Sequence, residues 1–135
     1  MQPLYNLYDR YDFEAQLAGI AAEHELGVVC YFALASGFLT GKYRRVEDVE
    51  RSARADFLKR YFDARGQRVL EGLMAVSEEL SARPSQVALA WLLSRPGITA
   101  PIVSATSREQ LNELLDSVSL SIPQELIARL ETSSQ

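Results

Sequence analysis

Residues 27–43 read GVVCYFALASGFLTGKY, and this stretch decides the fold class. Its first part, residues 27–34, is apolar on both alternating faces, which is typical of a parallel strand buried on two sides. Its second part, residues 33–43, contains small residues, two glycines and a lysine. Small residues after a strand let an anion approach the backbone, so this part is either a phosphate-binding turn or an ordinary tight turn.

The stretch differs from the phosphate-binding loop of Walker-type nucleotide hydrolases, whose pattern is G-x-x-x-x-G-K-[ST]. Ser36 stands where the first glycine of that pattern belongs. Tyr43 stands after Lys42, where the pattern requires a hydroxyl that binds magnesium. The sequence therefore argues against a Walker-type nucleotide hydrolase.

The composition predicts one ordinary globular segment over residues 1–135. Hydrophobic residues make up 47% and charged residues 24%, and the formal net charge of −4 argues against a general nucleic-acid binder. Cys30 and His24 are single residues of their kinds, so we expect no internal disulfide and no zinc site. With no leader-like start and no long apolar run, we expect a cytoplasmic protein that contacts no membrane.

Three apolar stretches alternate with helical patterns along the chain. The predicted strands are residues 3–8, 27–34 and 98–105. The predicted helices lie within residues 13–27, 66–82, 84–95, 107–118 and 123–131. This alternation predicts βα units and a parallel sheet. Because a (β/α)8 barrel needs eight strands and about 250 residues, three strands predict part of a larger architecture.

Three details of the helices can be predicted from single residues. In residues 13–27 the apolar stripe comprises Phe13, Leu17, Ile20 and Ala21, and Gly27 is a helix stop. Proline at position 84 fits the first position of a helix. Serine at position 107, with glutamine three residues on, fits a capping box.

Three motifs together resemble the aldo-keto reductases, on the branch that includes the potassium-channel β subunits. YFALASGFLTGKY (31–43) is similar to the family's Y-S-P-L-A-x-G-x-L-T-G-K-Y. The helix, strand and helix that come later in the family's sequence are similar to PSQVALAWLLSRPGITAPIVSATSREQLNE (84–113). The family's sixth-strand motif, Q-x-x-Y-N, is similar to QPLYNLYDR (2–10). The resemblance covers essentially all 135 residues. It implies an α/β fold, a partial (β/α)8 TIM barrel with strands six to eight and their helices, forming a single segment over residues 1–135.

The resemblance also implies residues that bind NADPH, at the positions where the family's coenzyme contacts fall. Gln2 would hydrogen-bond the nicotinamide carboxamide, and Tyr31 would stack on the nicotinamide ring. The pyrophosphate would lie against Leu34, Ala35 and Ser36, which would offer backbone amides and a hydroxyl. The phosphate suggested by the opening stretch would then be that of NADPH.

The remaining predicted contacts supply charge and hold the adenosine end. Lys42 would add a positive charge at the pyrophosphate, and Arg54 would close over the coenzyme. The ribose and its 2′-phosphate would lie at a helix N-terminus, where the dipole favours an anion, and Glu113 would reach the adenine amino group. The residues expected around the ribose are Ser104, Thr106 and Gln110.

Four positions depart from the family pattern. Phe32 and Ala33 replace a serine and a proline in the wall of the pocket. Ser104 replaces a glycine that lets the ribose phosphate approach closely. Leu114 replaces an asparagine at the adenine, and losing that polar contact is expected to weaken binding by about 1 kcal/mol.

The family's Asp/Tyr/Lys/His tetrad lies on or after the first four strands, so no residue of this chain is assigned to catalysis. The resemblance implies the C-terminal coenzyme-binding portion of an NADPH-dependent oxidoreductase that, when intact, transfers hydride to aldehydes or ketones without metal. The alternatives are a non-catalytic fragment that binds a dinucleotide or a partner, or a truncated gene product. Since strands cut from a barrel leave two open edges, we also expect self-association or pairing with an N-terminal half.

Overall fold

The chain folds into a small parallel sheet with helices packed against it. The structure is a computed structural model that describes residues 1–49 and 55–135. The strands are β1 (Val28–Cys30) and β2 (Ile98–Pro101). The α-helices are α1 (Ala18–Glu23), α2 (Ala55–Leu58), α3 (Ala64–Glu79), α4 (Pro84–Leu93), α5 (Arg108–Asp116) and α6 (Gln124–Ser133). A π-helical turn spans Phe13–Leu17, and 3₁₀ turns span Ala35–Thr40, Val46–Val49 and Lys59–Tyr61.

The sheet has the parallel arrangement that the alternation of elements predicts. β1 pairs with β2 in parallel, and Val28 lies opposite Ile98. The first residues of the chain add a third extended segment on the other side of β1, where Leu4 forms a parallel bridge with Tyr31. The N–H of Tyr31 donates to the carbonyl of Pro3 at 3.0 Å. The spatial order is therefore residues 1–4, then β1, then β2.

The second and third predicted strands are present as β1 and β2 but shorter than predicted, and the first is reduced to the bridge at Leu4. The first ends early because the Asn6 side-chain oxygen accepts the N–H groups of Tyr8 and Asp9, both at 2.8 Å, which turns the chain. The second ends because Phe32 adopts a left-handed conformation with φ of 52°. The third ends at Pro101, which pairs with Cys30, the last residue of β1, and the N–H of Ile102 donates to the Cys30 carbonyl at 2.7 Å.

The first predicted helix differs most from expectation. It ends at Glu23, and Glu25 takes the left-handed conformation that stops it, with φ of 50°. The prediction that Gly27 is the stop was therefore wrong. Gly27 instead lets the chain pass Thr99, whose Oγ1 would lie 3.3 Å from an added Cβ. Ile20, expected in the core, is 47% exposed.

The other helix signals are largely confirmed. α4 begins at Pro84, and the Ser107 hydroxyl accepts the N–H of Gln110 at 3.2 Å as the cap of α5. The return half of that capping box is absent, because the Gln110 side chain accepts the N–H of Thr106 instead. The sequence reading missed the cap of α3, where Asp63 accepts the N–H of Gly66 at 2.6 Å.

The core lies between the sheet and the helices, and Trp91 of α4 is at its centre. Its ring is fully buried and lies 5.7 Å from the ring of Tyr5. The guanidinium groups of Arg10 and Arg95 lie 5.3 and 5.5 Å from the same ring. In the described ranges, no helix combines the length and apolar character needed to cross a membrane.

Candidate functional site

The carboxyl ends of parallel strands meet at one edge of a sheet, and ligands bind at that edge in folds built from βα units. Residues 31–36 follow β1, and residues 102–107 follow β2. Most of the predicted site residues lie in these two segments or at the start of α5. The topology therefore brings them to a common edge.

Tyr31 and Gln2 lie on the same side of the sheet. Leu4 is the bridge partner of Tyr31, and Gln2 is two residues earlier in the same extended segment, so alternation places it on the same face. Tyr31 is 38% exposed, and Gln2 is exposed as well. An aromatic ring and an amide are thus both open to solvent on adjoining segments, as the predicted nicotinamide contacts require.

The turn after β1 contains a run of left-handed residues. Ala35, Ser36 and Gly37 have φ of 49°, 58° and 103°. The N–H of Ala35 donates to the Phe32 carbonyl at 2.8 Å, and Ala35 is fully buried. Ala35 is therefore engaged within the turn, whereas Leu34 and Ser36 remain partly exposed. Such bends create concave backbone surfaces suited to anions.

Lys42 follows this turn and is exposed. Its ammonium group lies 5.4 Å from the ring centre of Tyr43, and within the described ranges it forms no ion pair. Gly41 before it has φ of 70°, and an added Cβ would lie 3.0 Å from the sulfur of Met74. This close packing on α3 fixes where Lys42 leaves the turn. Arg54 lies outside the described residues.

The structure brings together two of the residues predicted around the ribose. The side-chain oxygen of Gln110 accepts both the N–H and the hydroxyl of Thr106, each at 2.9 Å. Ser104 is exposed two residues before Thr106. Together they surround the N-terminus of α5, whose nine residues present a dipole favourable to an anion.

Glu113 is held by partners that sequence reasoning missed. Its carboxylate pairs with the Arg83 guanidinium at 2.7 Å and accepts a hydrogen bond from the Ser85 hydroxyl. The position of Arg83, just before the Pro84 helix start, gave no signal of this long-range pairing. Leu114 is 9% exposed and belongs to the core cluster, so its departure from the family pattern adds packing at this end of the site.

The buried titratable groups near the sheet are poor acids and nucleophiles. Burial raises the pKa of the Cys30 thiol to about 11. Burial, together with hydrogen bonds to carboxylates, raises the pKa of Tyr5 and Tyr61 above the ordinary value. The Tyr5 hydroxyl donates to Glu14 at 2.7 Å, and that of Tyr61 donates to Asp9 at 2.8 Å. These tyrosines therefore act as packing and hydrogen-bonding groups.

The described part of the chain contains no group of three or more histidine, cysteine or carboxylate residues that could hold a metal ion. The whole chain, residues 1–135, matches the model of the aldo/keto reductase family. The chain belongs to this family. The resemblance seen in the motifs is thus confirmed, and the parallel βα units agree with part of the family's (β/α)8 barrel.

Relatives of this aldo/keto reductase chain carry two kinds of name. It is 31% identical to a probable voltage-gated potassium channel subunit beta of Arabidopsis thaliana, over 87% of this chain and 37% of the relative. It is 33% identical to an uncharacterized oxidoreductase of Bacillus subtilis, over 96% of this chain and 38% of the relative. The chain therefore spans less than two fifths of the length of these relatives.

Proposed function

We propose that this chain is the C-terminal coenzyme-binding portion, containing strands six to eight, of an NADPH-dependent aldo-keto reductase. In the intact protein it would bind the coenzyme from which hydride is transferred to an aldehyde or ketone. The observation that carries the proposal is the gathering of Tyr31, Ser36 and the Thr106–Gln110 pair at one carboxyl edge of a parallel sheet. Family membership supports a nicotinamide coenzyme.

The residues at this edge fit such a coenzyme. Tyr31 offers an exposed ring to a planar heterocycle, and Gln2 beside it offers an amide. Ser36 and Lys42 offer a hydroxyl and a positive charge to a pyrophosphate. The α5 N-terminus, with Thr106, offers hydrogen-bond donors to a ribose phosphate. When bound, the coenzyme would supply the hydride.

The roles of the chain's own residues are binding and orientation. Tyr31 would fix the plane of the nicotinamide, and the turn at Ser36 would hold the phosphates. Arg83 and Ser85 would hold Glu113 in place at the adenine. No described tyrosine is assigned the role of proton donor. A positioned general acid contributes about 10²–10⁴-fold to such reactions, so the chain alone is expected to be inactive.

Coenzyme binding tests the assignment directly. We expect the full chain to bind NADPH more tightly than NADH, because the 2′-phosphate would lie at the α5 N-terminus. Tyr31→Ala and Lys42→Ala are each expected to weaken NADPH binding about fivefold, since a stacking or charge contact contributes about 1 kcal/mol. Tyr11→Ala and Lys59→Ala are controls of the same residue types at exposed positions to which no coenzyme contact is assigned. Calorimetry showing unchanged affinity in both test variants would contradict the assignment.

A turnover assay tests the expectation that the chain alone has no proton donor of its own. We expect no reduction of 4-nitrobenzaldehyde by the pure chain with NADPH. Turnover that disappears on substitution of a residue within the chain would show that it carries its own proton donor.

A second candidate is a non-catalytic subunit that binds a dinucleotide and a protein partner. It is favoured by the relative named as a potassium channel subunit. The upstream sequence of the intact protein would discriminate, because a reductase needs the missing acid there.

A further inference from the structure

A cavity of about 870 Å³ lies between α3, the turn that carries Phe38 and Arg44, and Pro84. None of the predicted coenzyme residues that lie within residues 1–49 and 55–135 lines it. Its volume falls within the range of about 300–1,000 Å³ that is typical of small-molecule sites. It is therefore a second candidate site, separate from the coenzyme edge.

One side of this cavity is aromatic. Phe38 and Tyr61 stack with ring centres 5.3 Å apart and planes at 18°. Phe62 meets Phe38 edge-on, also at 5.3 Å. Met74 of α3 lies among the lining residues and adds a flexible apolar surface. Phe38 and Tyr61 are each 1% exposed and back this side of the cavity, while Phe62 and Met74 are half-buried and are the apolar groups that a ligand can touch.

The α3 side of the cavity carries negative charge next to Met74. Glu71 and Glu78 both line it and lie seven residues apart on α3, which places them on one helix face about 10 Å apart. Both are exposed, and neither forms an ion pair within the described ranges. Asp63 also contributes a carboxylate, although it is engaged as the cap of α3. Among the described lining residues, Arg44 is the one cation.

We propose that this cavity binds an amphipathic organic cation, a molecule with an aromatic or aliphatic body and a protonated amine. The body would lie against Phe62 and Met74. The ammonium group would lie between Glu71 and Glu78, where both carboxylates attract it. Aromatic faces also attract cations, so the two walls favour the same ligand charge. This site adds a function that does not depend on coenzyme binding.

Three probes of equal body length test the charge preference on the full chain. These are 4-phenylbutylamine, 4-phenylbutanol and 5-phenylpentanoate, each with four methylenes after the ring, compared by calorimetry at pH 7. We expect the amine to bind most tightly and the carboxylate about tenfold more weakly than the amine. The alcohol should fall between them, because it has the body without the charge.

Variants assign the preference to the cavity. Glu71→Gln and Glu78→Gln should each weaken amine binding about threefold, as expected for a partly solvated charge at about 5 Å. Arg44→Gln should strengthen it by a similar factor, because it removes a like charge. Glu23→Gln on α1 is the control for net charge and should leave binding unchanged. These are exposed positions, so the substitutions change folding little and a loss of binding reports the lost charge.

Several results would overturn the proposal. Absence of amine binding, or equal binding of all three probes, would show that charge plays no part. Amine affinity that Glu71→Gln and Glu78→Gln leave unchanged would place the probe elsewhere. Displacement of the amine by NADPH would show that the two compounds share one site and would overturn a cavity separate from coenzyme binding. Unchanged affinity of Tyr31→Ala and Lys42→Ala for NADPH would instead contradict the coenzyme assignment and leave this proposal standing.

Discussion

The two faces of the parallel sheet differ in what covers them. Val28 and Cys30 point toward the helices and are fully buried. Tyr31, directly after β1, and Ile102 and Val103, directly after β2, are each more than a third exposed. Val29, which points to the other face of β1, is half-buried, so the described residues cover one face of this strand more fully than the other.

The helices repeat this contrast. α4 is buried along almost its whole length, from Ser85 to Leu92. α5 and the turn directly after it instead expose a stripe, Leu111, Leu115 and Val118, at the spacing of a single helix face. Such a stripe is typical of a helix that packs against a neighbour. The apolar pattern therefore extends beyond the surfaces that the described residues bury, which agrees with relatives more than twice as long.

The largest expected effect of this difference is on assembly. Exposed apolar surface costs about 25 cal/mol per Å², so a few hundred Å² costs several kcal/mol, comparable to the stability of a domain. We predict that the chain self-associates through its open face or sheet edges, or pairs with a complementary part of the barrel. Sedimentation at micromolar concentration checks this. A single monomeric species with a cooperative melt above about 60 °C would contradict it.

The second prediction compares the loss of stability at a buried residue of α4 with that at an exposed residue directly after α5. Trp91→Ala removes the fully buried ring at the centre of the core and should lower the free energy of unfolding by about 3–5 kcal/mol. Val118→Ala at the exposed stripe of α5 should change it by less than about 0.5 kcal/mol. Urea unfolding at one fixed protein concentration measures both. Similar losses in the two variants would show that the α5 stripe is already packed.

The buried helices α3 and α4 were easier to predict from the sequence than the lengths of the strands. The apolar repeat of α3 and the Pro84 start of α4 are local signals, and the structure follows both. Strand length was less predictable, because Asn6 ends one strand through its side chain and Phe32 ends another through a left-handed conformation. Propensity gives little warning of either event, since a bulky residue at positive φ is uncommon.

Two helical glycines differ in how much space surrounds them. An added Cβ at Gly66 would lie 1.7 Å from the backbone oxygen of Tyr61, so Gly66→Ala should destabilise the fold by about 2–3 kcal/mol. An added Cβ at Gly19 would meet nothing within 4 Å. Gly19→Ala should therefore stabilise α1, by up to about 1 kcal/mol. Thermal melts of the two variants should shift in opposite directions, and shifts of the same sign would count against the packing described.

The residues of the candidate site stay a prediction from the motifs, and the contacts between them could not be predicted from the sequence. The motifs gave Tyr31, Thr106 and Glu113 through a family resemblance, and the parallel topology brings the first two to one edge. The pairing of Glu113 with Arg83 joins residues 30 positions apart, and no local pattern signals such a contact. The aromatic and acidic cavity beside α3 likewise depends on three-dimensional packing.

A smaller effect concerns the cap of α3. The Gly66 N–H, hydrogen-bonded to Asp63, holds the pKa of that carboxyl below its usual value, and the Tyr8 hydroxyl adds to this. A lowered pKa in the folded state means that the stabilisation is present above the unfolded pKa, about 3.9, and is lost as pH falls through the folded value. Asp63→Ala should cost about 1 kcal/mol at pH 7 and progressively less below about pH 4. Asp12→Ala is the control, because Asp12 makes no capping hydrogen bond. A cost that stays constant with pH would contradict the role of the charge.

The smallest expected effect is at the end of α1. Glu25 occupies the left-handed position after the helix, and the N–H of Leu26 donates to the carbonyl of Ala21 at 2.8 Å, which is the bond that closes a Schellman motif. Glycine adopts this conformation without the Cβ penalty, although it also gains freedom in the unfolded chain. Removing the Cβ relieves about 1 kcal/mol of left-handed strain in the folded state, whereas the greater freedom of glycine in the unfolded chain offsets about half of it. We therefore expect Glu25→Gly to raise the free energy of unfolding by about 0.5 kcal/mol. Glu23→Gly, two residues earlier and inside α1, is the matched control and should destabilise by a similar amount. Urea midpoints resolve the two signs, and a lower midpoint for Glu25→Gly would show that the helix does not end at this residue.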